Sequence, residues 1–155
     1  MPDRSHLHLT VAAVICYQER FLLVEERDKI SGALVLNQPA GHVEYGEDVI
    51  DAMQRELQEE TGLLLKPDAW LGMSQLRAVN GHFYYRVNFI FEPVALPTHY
   101  QPQDPDILAL HWLSADEIAK APIPVRSKLV TAAIEAYQQG IRLPLDALQA
   151  MTDPS

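Results

Sequence analysis

The chain has 155 residues, 48 % of them apolar, which suits one compact domain with a real core. Its net charge of −9 argues against nucleic-acid binding, which needs a basic face, and its single cysteine, Cys16, rules out a disulfide framework and favours a reducing, cytoplasmic setting. The opening MPDRSHLHL lacks an apolar leader and a cleavage site, and no run approaches the length of a membrane span, so a soluble protein with no membrane partner is expected.

Residues 7–17 and 20–26 are rich in Val, Leu and Ile and are separated by Gln18-Glu19, the pattern of a β-hairpin, with Cys16 as a small core residue. A polar turn over 28–32 leads to a short strand at 33–36. The turn Asn37-Gln38-Pro39-Ala40-Gly41 follows, with His42 and Val43 pairing briefly in the sheet.

Residues 47–61 contain no Pro or Gly, and Val49, Ile50, Met53 and Leu57 recur at helical spacing, with Gly62 as the stop. At roughly 100° per residue, Glu56, Glu59 and Glu60 share one side of that helix, bordering its apolar stripe. Three clustered carboxylates repel, and a hard divalent cation such as Mg²⁺ or Mn²⁺ relieves this while also binding substrate phosphates. Arg55 pairs with Glu59 one turn on and fixes its rotamer. On this run alone, an ordinary solvated helix explains the charges equally well.

Lys66-Pro67-Asp68 is a turn, and residues 70–79 and 82–95 flank Asn80-Gly81 as a second hairpin. On its second strand Phe83, Tyr85, Val87, Phe89 and Phe91 share the core face, and His82, Tyr84, Arg86, Asn88 and Ile90 the other. Tyr84 and Arg86 are candidates to hold a base and a phosphate, against the alternative of a solvated face. Residues 93–105 carry four prolines and form a long loop. A strand at 107–113 precedes a capping box at Ser114 and Glu117, opening a short helix to residue 121. Ser127 caps a last helix to residue 139, and Gly140 ends it. Arg126, beside that helix N-terminus, is a candidate anion ligand. Residues 142–155 read as a tail with a weak helical turn at 146–151. The six histidines show no zinc-type spacing, so scattered roles are expected for them.

The stretch from Gly41 to Leu63 fits G-x5-E-x7-R-E-U-x-E-E-x-G-U, with U aliphatic, and fills every fixed position. It resembles the Nudix box. The resemblance implies an α+β fold, a mixed β-sheet sandwiched between helices (α/β/α), over a single domain spanning residues 1–155. It implies that Glu56, Glu59, Glu60 and the backbone carbonyl of Gly41 hold Mg²⁺, or Mn²⁺, on a diphosphate. Glu47 then assists the metal site, Arg55 braces Glu59, and water attacks phosphorus with Glu59 as general base and Asp106 as the second choice.

Segments outside the box resemble a bacterial phosphatase branch of that family. They are Asn37 through His42, Asp104-Pro105-Asp106-Ile107 with Trp112, Arg126-Ser127, and Tyr137 through Gly140 with Arg142 and Pro144-Leu145. That branch releases orthophosphate from nucleoside tri- and diphosphates and from organic pyrophosphates such as hydroxymethylpyrimidine pyrophosphate and thiamine pyrophosphate. The alternatives are a pyrophosphohydrolase releasing pyrophosphate or a nucleoside monophosphate, a non-catalytic nucleotide-binding module, and an acidic helix serving as a protein-interaction surface. The expected partner is a small nucleotide or pyrophosphate, and the expected state a monomer, with a dimer as the alternative.

Overall fold

Val11 through Ile15 form an unbroken apolar run on the first strand, so both of its faces need cover, and helices supply it on both sides. The computed structural model describes residues 5–154; residues 1–4, part of the opening read for a leader, and residue 155 lie outside the described residues. Strand β1 (Leu7–Tyr17) is the hub. It runs parallel to β6 (Phe83–Phe91) from Leu7↔Phe83 to Ile15↔Phe91, and β6 carries β5 (Ala69–Arg77) antiparallel on its far side. On its other edge β1 pairs with β4 (Ala40–His42).

The end of β1 turns through Gln18 and Glu19, both at positive φ (48° and 63°), into β2 (Arg20–Arg27), but the two strands share only the pairs Cys16↔Phe21 and Tyr17↔Arg20. Beyond that they diverge. β2 takes β3 (Leu34–Asn37) on one side and β7 (Ile107–Ser114) on the other, making the second half of a mixed seven-stranded sheet.

Val11, Ala13, Ile15, Val87, Phe89 and Phe91 pack on Ala52, Met53 and Leu57 of α1 (Val49–Thr61). On the opposite face Val14, Phe21, Leu23 and Leu36 meet Ile118 of α2 (Ala115–Lys120) and Val130, Ala133 and Ile134 of α3 (Lys128–Gln138). The sheet is therefore sandwiched between helices as expected. Among the described residues no helix is long and apolar enough to cross a membrane.

Three expectations need correction. Helix α1 starts at Val49, two residues late, because the Asp48 carboxylate accepts from the backbone N–H groups of Ile50 and Asp51 and fixes the N-cap there. The solvated alternative for the second face of β6 fails: Arg86, Asn88 and Ile90 are all buried, Arg86 donating to Gln38 Oε1 and Ile90 pairing with Val14, whose face α2 and α3 cover. Residues 142–148 are no loose tail. Leu143 exchanges two backbone hydrogen bonds with Trp70 on β5, the Trp70 indole donates to Pro144 O at 3.0 Å, and Leu145 and Leu148 pack on the core around a 3₁₀ turn at Leu145–Ala147.

Candidate active site

The local sequence places the acidic cluster at the join of β4 and α1. Gly41 lies on β4, opposite Val11 of β1, and α1 runs back across it, so that a Cβ at position 41 would collide with the Glu56 carboxylate. Only glycine lets that carboxylate lie directly on the strand. Glu60, one turn on, is 5 % exposed and accepts from Ala40 N–H at 2.6 Å.

Arg55 holds the group together. Its fork donates to both oxygens of Glu47 (Nε at 2.6 Å, Nη2 at 3.0 Å), while Nη1 reaches Glu56 at 2.8 Å and Glu59 at 3.3 Å. Nη2 also donates to the carbonyl of His42 at 3.0 Å. The expected Arg55–Glu59 pair is thus present, but it is the weakest of these contacts; the short ones go to Glu47 and Glu56. Glu47 in turn accepts from Glu44 N–H, closing the loop before the helix.

The electrostatics separate these carboxyls. Hydrogen bonding by Arg55 holds the Glu47 carboxyl below its usual range. Burial pushes Glu56 up, with Glu59 and Asp104 adding repulsion against the relief from Arg55. Burial pushes Glu60 up to about 9, and Glu26, Glu56 and Asp104 add to it. Such a crowd of buried, mutually repelling hard-oxygen donors fits a divalent cation, which supplies the charge that Arg55 alone cannot. Among the described residues no three such side chains already surround one point, because Arg55 Nη1 draws Glu56 and Glu59 to itself and Glu60 turns to Ala40.

Of the two aspartates in the preceding loop, the structure brings in the other one. Asp106 is exposed and reaches Lys29 at 3.4 Å. Asp104 instead lies close enough to raise both Glu56 and Glu60, because backbone N–H groups of Gln103 and Asp104 donate to Glu59 O at 2.8 and 3.0 Å and dock the loop on the C-terminal end of α1. Sequence spacing could not choose between them, since the choice depends on how an irregular loop settles.

The candidate substrate residues lie on the neighbouring sheet face. Arg86 is buried, donates from Nη1 to Gln38 Oε1 at 3.3 Å and leaves Nε with no partner, beside the equally unpartnered Thr10 Oγ1 and Asn88 Oδ1. Burial, with Arg126 nearby, pushes its guanidinium down to about 10. Arg126 donates to Glu26 at 2.6 Å, and Glu26 also receives Asn37. Arg86 thus sits within electrostatic reach of Glu60, while Arg126 pairs with Glu26, whose charge in turn raises Glu60. Tyr84 does not join them: it stacks on His8, ring centroids 4.6 Å apart, farther along the sheet. Four of the six histidines expected to be scattered are not; His6, His8, His42 and His82 form one hydrogen-bonded row, while His111 pairs with Glu25. A shallow cavity of about 720 Å³ at the far end of β1, lined by Cys16, Glu92, Tyr137 and Arg142 among others, shares no residue with the acidic group.

The NUDIX domain model matches residues 6–134. The chain is 42 % identical over 142 residues to the phosphatase NudJ of Escherichia coli strain K12 and to that of Shigella boydii, covering 91 % of this chain and 90 % of each relative. Among solved structures, a NUDIX hydrolase from Nitrosomonas europaea superposes with a TM-score of 0.84 at 40 % identity, covering 93 % of this chain and 97 % of that one. A family match over most of the chain, joined to relatives alike across nearly their whole length, leaves one assignment: the chain belongs to the Nudix hydrolase family.

Proposed function

We propose that this hydrolase depends on Mg²⁺ and releases orthophosphate from nucleoside tri- and diphosphates and related organic pyrophosphates, hydroxymethylpyrimidine pyrophosphate and thiamine pyrophosphate included. The observation that carries the reading is similarity to the phosphatase NudJ over 91 % of the chain, with the full carboxylate set in place. Glu56, Glu59, Glu60 and the Gly41 carbonyl would hold the cation, with Mn²⁺ as a substitute. When bound, the cation neutralises phosphate charge and acidifies the attacking water.

The chain's own residues divide the remaining work. Glu47 is committed to Arg55 and Glu60 to Ala40 N–H. Glu59 is the least constrained, held only at 3.3 Å and 43 % exposed on its side chain, so it serves as the general base. It takes the proton as water oxygen bonds to the terminal phosphorus, and the bond from that phosphorus to its bridging oxygen breaks. The bridging oxygen leaves on the shortened nucleotide. Arg86 and Arg126 bind the phosphate chain, their charge offsetting a protein of net −9. The substrate is a small molecule, without nucleic acid or membrane, bound by a cytoplasmic monomer.

Phosphorus NMR of the products formed from a nucleoside triphosphate in ¹⁸O-labelled water with Mg²⁺ tests this. The expected result is label in free orthophosphate, absent with Glu59→Gln. Labelled pyrophosphate or nucleoside monophosphate would overturn terminal attack while keeping the hydrolase.

A further inference from the structure

The row of histidines has no part in the chemistry above. His8 lies on β1, His42 at the end of β4, His6 just before β1 and His82 just before β6, so three strand ends bring together residues from three parts of the sequence. The register explains the meeting: Leu7 pairs with Phe83, Thr10 with His42, and Phe83 N–H donates to His6 O at 2.9 Å. Three ring-to-ring links result. His8 Nδ1 lies 3.0 Å from His42 Nε2, His8 Nε2 lies 2.7 Å from His82 Nδ1, and His82 Nε2 lies 2.8 Å from His6 Nδ1. His8 is further fixed by Tyr84, whose ring lies at 11° to its own.

Two features of the row point to a ligand. The charges acting on His8 and His82 come from the other histidines; no carboxylate is among them. Burial first, and then the neighbouring rings, hold both imidazoles below their usual pKa, which keeps them neutral and able to donate a lone pair. The second feature is spacing. In tetrahedral geometry two imidazole nitrogens bound to one cation at about 2.0–2.1 Å stand roughly 3.3 Å apart, so the 2.7 Å link between His8 Nε2 and His82 Nδ1 opens by about half an ångström to admit one.

We propose that His6, His8 and His82 bind a borderline divalent cation of the Zn²⁺, Ni²⁺ or Cu²⁺ class, at a site separate from the carboxylates of α1. Neutral imidazoles without oxygen donors select such ions over Mg²⁺. Among the described residues no three donors yet surround one point, so the His8–His82 link is the fixed half of the site. The exposed ring of His6, which meets the opposite nitrogen of His82, exchanges that contact for the cation to complete the site, water fills the remaining position, and His42 stays at the margin as a partner of His8.

The test uses full-length, tag-free protein stripped of metal and titrated with Zn²⁺ against a chromophoric chelator. The expected result is one tight Zn²⁺ per chain that excess Mg²⁺ does not displace, retained in Glu56→Gln and weakened at least about tenfold in His82→Asn and in His8→Asn. The Cu²⁺-loaded protein should show nitrogen hyperfine structure from at least two imidazoles, reduced by His6→Asn, whose exposed side chain makes misfolding no explanation. Zn²⁺ affinity unchanged by all three histidine variants would overturn the proposal. So would Zn²⁺ that Mg²⁺ displaces or that Glu56→Gln abolishes, and so would no Zn²⁺ retained against the chelator. Either result leaves the phosphate-release experiment unaffected.

Discussion

Arg55 serves four carboxylates at once, those of Glu44, Glu47, Glu56 and Glu59, and its planar fork is what lets it. Lysine has the charge without the fork. Arg55→Lys should therefore loosen Glu47 and Glu56 together, lowering kcat/KM by roughly 10–100-fold while costing only about 1–2 kcal/mol of stability, as steady-state kinetics and urea denaturation would show. Gly41→Ala should separate the two quantities further. Its Cβ displaces the flexible end of Glu56, so activity falls roughly 100-fold with a stability change under about 1 kcal/mol. Equal losses in both would argue against a positioning role. Arg86→Met should raise the KM for phosphate substrates about tenfold or more. The acidic helix was legible in the sequence because i, i+3 and i+4 spacing fixes a helix face without tertiary knowledge. Asp104 and the histidine row were not, since each depends on contacts between segments far apart in the chain.

Among the elements, the junction of α1 with the proline-rich loop sets where Asp104 stands. Gly62 ends the helix at φ 81°, and a Cβ there would meet the backbone of Gln101, whose N–H donates to Thr61 O at 2.9 Å. Gly62→Ala should cost about 1–3 kcal/mol and also reduce activity, because the displaced loop carries Asp104 with it. The turn at Gln18-Glu19 works in the opposite direction. Both residues hold left-handed backbone, so replacing the pair with Asn-Gly should stabilise the protein by about 0.5–1 kcal/mol, measurable as a raised Tm. Strands, hairpins and caps were readable because local chemistry decides them: the Ser114–Glu117 capping box forms as its residues dictate. The clasp of Leu143 and Pro144 on Trp70 was not readable, because a single bridge between distant residues leaves no periodic trace.

At the scale of the whole molecule, the buried acids tie stability to pH and to metal. Glu60 rises from an ordinary 4.5 to about 9 in the folded, metal-free protein, so its contribution favours folding below pH 4.5 and is lost as pH rises from there toward about 9. Glu56 acts in the same sense; Glu47, shifted down, acts in the opposite one. With a chelator present, Tm should fall between about pH 5 and pH 9, and Glu60→Gln should flatten that slope. Mg²⁺ should stabilise the fold most at the alkaline end, by about 2.7 kcal/mol at a hundredfold excess over its Kd, read as a raised Tm.

The parallel pairing of β1 with β6 also imposes an order in time. β1 is made first, and α1 can cover one of its faces early, yet its early strand partners are two residues of β2 and the three of β4, and the strand that pairs with it almost from end to end lies past the middle of the chain. At roughly 5–20 residues per second, several seconds of synthesis separate them. Throughout that interval Val11 to Ile15, the most deeply buried run in the finished protein, hangs from the ribosome with an open edge. The nascent chain is thus at its most aggregation-prone before β6 has left the ribosome, and a pause in translation up to that point would prolong the exposure, whereas a later one would not.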